Sequence, residues 1–250
     1  MYPKAAGLHR RPYQLGESAG LIISDSETAI EKALYAMELH RGRLTEYVRF
    51  NPFFKEALEP IRLDEGPLVA RLMAEHSAAA GVGPMAAVAG VLADLALREM
   101  VEHGARVAVV EDGGEAAVAS DGPVDVALQA GDEPLSRRMG FRLERFPMGV
   151  ATSSGRFSHA LSFGDAEAVT VFAENAGLAD AAATAVGNVV KGEDEESAAR
   201  LGVETGLSIE GVQGVFVIYK GTVGVGGRVP KIIGVDPVES SEPSFSLRGV

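Results

Sequence analysis

Residues 84–119, PMAAVAGVLADLALREMVEHGARVAVVEDGGEAAVA, hold the transition that decides the fold. Pro84 suits a first helical turn, because the N–H it lacks is one that a helix start leaves unbonded anyway, and Gly104 stands where a helix stops. Between them Asp94, Arg98 and Glu102 recur at i, i+4 and i+8, laying one polar stripe along an apolar helix. Met85 to Ala93 is apolar all round and built largely of Ala, Gly and Val, so another backbone or a ligand can approach closely. Residues 105–119 then change period: two β-rich runs join around Asp112, Gly113 and Gly114, which is a hairpin signal. A helix that feeds a hairpin predicts an antiparallel sheet.

The same grouping recurs outward. Residues 13–24, YQLGESAGLIIS, end in an apolar run that reads as a strand, after which Ser24 and Glu27 have the spacing of a capping box. Ile30, Ala33, Leu34 and Met37 follow at helical spacing, and a second helical stretch continues through Leu44, Val48 and Phe54 toward Pro60. Residues 66–80 form a further helix. Downstream, strands are expected at 123–129, 141–152 and 167–173, helices at 176–190 and 195–205, and strands again in GVFVIYKGTVG and VPKIIGV. Strands arrive in groups separated by clusters of helices, which predicts an α+β class and not an alternating doubly wound fold. Residues 1–236 are expected to form one domain, with the Ser-rich 237–250 as a mobile tail.

The 250 residues carry 23 Lys plus Arg against 35 Asp plus Glu, a formal charge of −12. No basic patch offsets it, so nucleic acid is not an expected partner. With no cysteine the chain has no disulfide, thiolate metal site or cysteine nucleophile, and any metal must be held by oxygen or imidazole. The opening MYPKAAGLHRRPYQLGESAG shows no apolar h-region, and no run of about eighteen apolar residues follows. The expectation is a soluble cytoplasmic protein without membrane or lipid anchor.

Chemistry-bearing residues concentrate in 151–188, ATSSGRFSHALSFGDAEAVTVFAENAGLADAAATAVGN. Asp180 and Thr184 are i and i+4, so both oxygens leave one helical face and can grip a hard cation such as Mg²⁺, which takes one or two carboxylates and completes its shell with water and phosphate. The same spacing is also met by an N-cap aspartate with a threonine bonded one turn back. His159 follows the hydroxyls of Thr152, Ser153, Ser154 and Ser158 and can serve as acid or base, or as an ordinary hydrogen-bonded loop histidine. No G-x-S-x-G elbow supports a serine hydrolase. In EDGGE, residues 111–115, the glycines fit a bare turn with solvated carboxylates, or a loop whose backbone approaches a ligand. YKGTVGVGG, residues 219–227, matches no phosphate-loop pattern and reads as a flexible turn.

VGPMAAVAGVLADLALREMVEHGARVAVVEDGGEAAVA, then TSSG with a histidine four residues on, then LADAAATAVGN, resembles in that order the UPF family of ApbE-like proteins. More distantly it resembles ApbE, the magnesium-dependent FAD:protein FMN transferases. The family pattern A-x-A-K-G-x-x-x-D falls on Ala86, Ala87, Val88, Ala89, Gly90 and Asp94, with Ala89 in place of lysine. N-x-G-G-[DE] falls on Glu111, Asp112, Gly113, Gly114 and Glu115, with Glu111 in place of asparagine. T-S-G falls on Thr152, Ser153 or Ser154, and Gly155, and the family histidine on His159, while the D-P-x-T-G that follows it is replaced. Asp180 and Thr184 match the family's metal-binding pair, and Ala86 the residue whose carbonyl completes that site.

The resemblance implies an ApbE-like, T-fold-related architecture of antiparallel sheet and packed helices. It further implies a Mg-assisted site for a flavin nucleotide, FAD foremost, or another phosphorylated ligand. Asp180, Thr184 and Ala86 would hold the metal, His159 would be catalytic, and Thr152, Ser153, Ser154, Gly155, Gly113, Gly114 and Glu111 would line the ligand. The missing lysine keeps two alternatives open: a non-catalytic binding or assembly protein, and a hydrolase or transferase of a phosphorylated metabolite. A homo-oligomer would suit the small, apolar helix faces.

Overall fold

The computed structural model describes residues 7–128, 139–153 and 165–234. The chain opens with a hairpin, β1 (His9–Leu15) and β2 (Ser18–Ser24), followed by α1 (Glu27–Phe50), α2 (Pro52–Glu56) and α3 (Leu68–Ala80). A 3₁₀ turn, Pro84–Ala87, leads into α4 (Val88–Glu102). Then come β3 (Val107–Asp112), β4 (Glu115–Ser120), β5 (Val124–Ala127), β6 (Met139–Leu143), β7 (Met148–Ser153) and β8 (Ala168–Ala173). The last elements are α5 (Ala176–Val189), α6 (Glu195–Leu207), β9 (Val212–Tyr219), β10 (Thr222–Gly227) and β11 (Lys231–Gly234).

Eight strands form one sheet in the order β1-β2-β3-β4-β7-β8-β9-β10, and β11-β6-β5 form a second. All named pairings are antiparallel, as expected from the sequence. Strand side chains alternate between faces, so the large sheet has two apolar sides. Ile22, Val110, Ala117, Ala151, Val171 and Val217 turn toward the helices. Leu21, Val109, Val118, Val150, Phe172 and Phe216 turn toward the small sheet, where Phe141 meets Phe172 and Phe216 edge-on at 4.9 and 5.4 Å. Each such aromatic contact adds about 0.5–1.5 kcal/mol to area burial. The result is three layers: helices, large sheet, small sheet.

Several local expectations are corrected. The N-terminal strand is a hairpin, and Ser26, not Ser24, caps α1 by accepting from Ala29 N at 3.2 Å; Ser24 is buried and instead accepts from Ser26 N. The two N-terminal helical stretches are one 24-residue helix with a short second one after it. Residues 141–152 hold two strands in different sheets, and 222–227, read as a turn, is a strand. The polar stripe on α4 is half right: Arg98 and Glu102 are exposed and paired at 2.8 Å, whereas Asp94 bonds α5. Residues 237–250 lie outside the described residues. Among the described residues no single helix is long and apolar enough to cross a membrane.

Register fixes where a site can form. The pairs Gly20↔Asp112, Glu115↔Ala151, Ser153↔Val169 and Ala168↔Ile218 bring the β1–β2 turn, the β3–β4 turn, the end of β7 and the start of β8 to one end of the large sheet.

Candidate functional site

The first turns of α4 and α5 meet where both helices lack bulk. A Cβ at Gly90 would collide with the Ala176 carbonyl, and one at Gly177 would lie 2.6 Å from Val91 Cγ2 and 2.7 Å from His76 Cδ2. The small apolar face that suggested an oligomer is therefore used inside one chain.

A helix start leaves N–H groups without intrahelical partners, and each helix here borrows a carboxylate from the other. Asp94 of α4 accepts from Ala176 N at 2.9 Å and Gly177 N at 2.7 Å, while Asn175 caps the next donor, Leu178 N, at 2.8 Å. Asp180 of α5 accepts from Gly90 N at 3.0 Å and also draws on the Ala89 N–H. Asp180 is thus not an N-cap of its own helix; Asn175 has that place. Burial pushes Asp94 up to about 6 against the opposing pull of its two N–H bonds.

Two more carboxylates approach from the sheet. Gly113 and Gly114, with φ of 72° and 126°, make the two-residue turn that the DGG signal predicts, and Asp112 pairs with Glu115 across it. The parity that turns Val110 and Ala117 toward the helices turns Asp112 and Glu115 the same way. Asp180, Glu115 and Asp112 then act on one another. Withdrawal from water raises all three, and the neighbouring negative charges raise Glu115 and Asp180 further. Asp112 is 2% exposed; Ser18 and the Ala19 N–H steady it, but its Oδ2 is buried without a hydrogen-bond partner. Arg41 reaches the same corner, donating to Ser18 Oγ at 2.7 Å from the rim of an open groove of about 820 Å³ between α1 and the β1–β2 turn.

The expected site residues divide. Asp180 stands with Asp112, Glu115 and the start of α4; Thr184 is one turn further along α5, and Ala86 lies in the 3₁₀ turn before α4. Gly113 and Gly114 form the adjoining turn, and the Cβ-direction of Gly114 points at the Thr152 carbonyl. Ser153 shares the helix-facing side with Val169, its register partner. Thr152 is on the opposite face, its hydroxyl 3.0 Å from that of Thr170, and strand parity sends the Glu111 side chain to that face as well. Glu111 and Asp112 are both 2% exposed, so the solvated reading of EDGGE is corrected for them. Ser154, Gly155 and His159 lie outside the described residues. Among the described residues no three His, Asp or Glu side chains converge as metal ligands. A metal there would depend on mixed oxygen donors, meaning the Asp180 carboxylate, the Thr184 hydroxyl and the Ala86 carbonyl.

Reading the sequence missed Asp112 and Glu115 as members of this group, although their parity next to a two-residue turn was a usable signal. It also missed Asp94 as a helix-capping group, for which a helical stripe gives no cue.

A helix layer on an eight-stranded antiparallel sheet, packed on its other side by a small sheet, is an ApbE-like architecture. The fold matches the apo flavinyl transferase ApbE of Pseudomonas stutzeri with a TM-score of 0.58 at 17% identity, covering 90% of this chain and 94% of that one. It matches the ApbE protein of Thermotoga maritima with a TM-score of 0.57 at 13% identity, over 92% and 97%. A sequence model of the family described as AbpE bacteria matches residues 9–213. The chain is 44% identical over 221 residues to the UPF0280 protein of Methanopyrus kandleri, covering 85% of this chain and 88% of that protein. It is 41% identical over 198 residues to the UPF0280 protein of Methanothermobacter thermautotrophicus, covering 78% and 77%. The chain belongs to the UPF0280 family, which is related to ApbE.

Proposed function

We propose that this protein binds a flavin nucleotide, FAD foremost, or another phosphorylated ligand at a Mg²⁺-assisted site beside Asp180, and acts on it in the manner of a flavin transferase. The observation that carries this reading is the placement of Asp180 at the start of α4, facing Asp112 and Glu115. Carboxylates that crowd one another hold protons tightly, and a divalent cation answers the same excess of negative charge. The donors available are hard oxygens, which suit Mg²⁺, and the unpartnered Asp112 Oδ2 is a further unmet acceptor.

Asp180, Thr184 and the Ala86 carbonyl would hold the metal, whose chemistry when bound is to neutralise a diphosphate. The rest falls to the chain. The Gly113–Gly114 turn would present its backbone to phosphate oxygens through Gly114, since the Gly113 N–H is held by the Ala19 carbonyl and those of Ala89 and Gly90 by Asp180. Ser153 would line the ligand from the helix side of the sheet, continued by Ser154 and Gly155, while Thr152 and Glu111, whose side chains leave the opposite face, would contribute only their backbone. His159 would move the proton, as general base toward an attacking hydroxyl or general acid toward the leaving group. The working compartment of this reading is the cytoplasm, and the protein a homo-oligomer.

A binding-only protein is the second reading, favoured by Ala89 in the place where the family resemblance puts a lysine. To decide, purified protein is titrated with FAD in the presence and absence of Mg²⁺, and AMP release is followed. Mg²⁺-dependent binding with AMP release supports the transferase-like reading. Binding alone supports the second, and neither signal defeats the flavin assignment. Phosphate release from other phosphorylated metabolites would move the protein to hydrolase chemistry. Asp180→Asn should lose Mg²⁺-dependent binding and His159→Ala should lose turnover only; equal binding by wild type and Asp180→Asn removes Asp180 from the metal set.

A further inference from the structure

The two edges of the large sheet are treated very differently by the sequence. β1 carries His9, Arg10, Arg11 and Pro12, all exposed, and charge and proline are what keep an edge from pairing with another strand. β10, the opposite edge, is Thr222-Val-Gly-Val-Gly-Gly, with no charged residue and no proline. Among the described residues its one sheet neighbour is β9.

Which backbone groups β10 leaves open follows from its register. Tyr219 pairs with Thr222 across the two-residue Lys220–Gly221 turn, and beyond the strand Arg228 N still bonds Gln213 O at 2.6 Å. Antiparallel partners exchange hydrogen bonds at every second residue, so the even-numbered residues of β10 spend theirs on β9. Val223 and Val225 turn their N–H and C=O groups outward, whereas Gly227, with φ of 70°, departs from extended backbone and ends the regular edge. Val223 and Val225 are also 48% and 51% exposed on the face opposite α6. Gly224 and Gly226 need no ligand to explain them: a Cβ at Gly224 would press on Ala199 and Val203 of α6, and one at Gly226 on Val203 and Leu207.

We propose that β10 pairs antiparallel with β10 of a second copy of this chain, about a two-fold axis at Val225, joining the two large sheets into one. Val225 then lies opposite Val225 of the other copy, so the outward N–H of each Val225 meets the outward C=O of the other. The flanking helix supports the same partner. α6 advances along β10, with Ala199 and Val203 over Gly224, and Val203 and Leu207 over Gly226. A two-fold axis at Val225 therefore sets the two α6 helices antiparallel on one face of the joined sheet. Arg200 lines the shallow groove between α6 and β10, and it and Glu204 are 70% and 67% exposed with only a 4.0 Å contact between them. The antiparallel arrangement turns the Arg200 of each copy toward the Glu204 of the other. Backbone, apolar face and charge are thus self-complementary under a single operation.

The test is sedimentation velocity on the full chain up to about 100 µM, a range that resolves a micromolar dimer. The expected result is a wild-type dimer. Val225→Pro deletes one outward donor without touching β9, and Val225→Lys keeps the backbone but adds an edge charge. Each should raise the dissociation constant at least about tenfold with an unchanged melting point at low concentration. Arg200→Glu should weaken the dimer, and Arg200→Glu with Glu204→Arg should restore it. A wild-type monomer up to the highest concentration overturns the proposal, as does a dimer that neither Val225 variant weakens. A monomer that dimerises only after removal of residues 235–250 assigns the edge to the chain's own end and also overturns it.

Discussion

Asp94 and Asp180 cap each other's helices: Asp94 on α4 binds the first N–H groups of α5, and Asp180 on α5 binds those of α4, with Gly177 N and Gly90 N at 2.7 and 3.0 Å. Each carboxylate answers the positive end of the other helix dipole, and the glycines let the two axes come close enough for both bonds to form. The exchange fixes Asp180 against the start of α4 before any ligand is considered. Asp94 is the structural half of the pair and Asp180 the half with Asp112 and Glu115 beside it.

Removing Asp94 should therefore destabilise the fold without directly touching the carboxylate group. Asp94→Ala leaves Ala176 N and Gly177 N without partners and is expected to cost about 2–3 kcal/mol in urea unfolding. Asp94→Asn keeps one acceptor and should cost less. Its pH profile is the sharper measurement. Asp94 is raised in the folded state to about 6, so its contribution is full below about 4 and is lost as pH rises through 6. Wild type minus Asp94→Asn should show that decline between pH 4 and 7; a flat difference would defeat the assignment.

Gly90 and Gly42 make a matched pair. Gly90→Ala drives a methyl into the Ala176 carbonyl, forces α4 and α5 apart and should cost about 3 kcal/mol or more. Gly42, inside α1, has nothing within 4 Å of its Cβ direction, so Gly42→Ala should stabilise by roughly 0.5–1 kcal/mol. Thermal melts of both variants check the contrast.

What the sequence disclosed follows from how strongly each segment couples to its own neighbours. The α4-to-hairpin transition was legible because a helical period ended at Gly104 and a two-glycine turn sat between β-rich runs. β1 was not, since HRRPYQL lies at an exposed sheet edge and has no apolar alternation to read. Residues 141–152 merged into one strand because β6 and β7 bury residues on both faces, which erases the alternation marking their limits. β10 looked like a flexible turn because α6 lies against it and excludes side chains at 224 and 226. At the site, Asp180 and Thr184 were legible as a helical pair. The company Asp180 keeps depends on strand parity and helix crossing, which no local spacing encodes.

Asp112, Glu115 and Asp180 all hold protons more tightly in the fold than in an unfolded chain. At these three sites the folded state binds the larger number of protons, so their contribution to stability should fall as pH rises from about 4 toward alkaline values. Asp112→Asn removes one charge from the group and should flatten that fall, with its gain over wild type larger at pH 8 than at pH 5. Added Mg²⁺ should do the same for wild type, raising the melting point more at pH 8 than at pH 6. A Mg²⁺ effect independent of pH would separate the metal from these carboxylates.

On the other side of the large sheet, Asp125 and Arg142 are register partners on β5 and β6, joined by two bonds of 2.7 Å. Asp125 is 4% exposed, and that guanidinium is the partner of its buried carboxylate. Arg142→Ala strands a buried carboxylate and should cost about 3–5 kcal/mol, read by urea unfolding at pH 7. Replacing both, Asp125→Leu with Arg142→Leu, removes the desolvation problem together with the pair and should recover most of the loss. A double variant as unstable as Arg142→Ala would mean that the ion pair itself, and not relief of a buried charge, holds the small sheet in register.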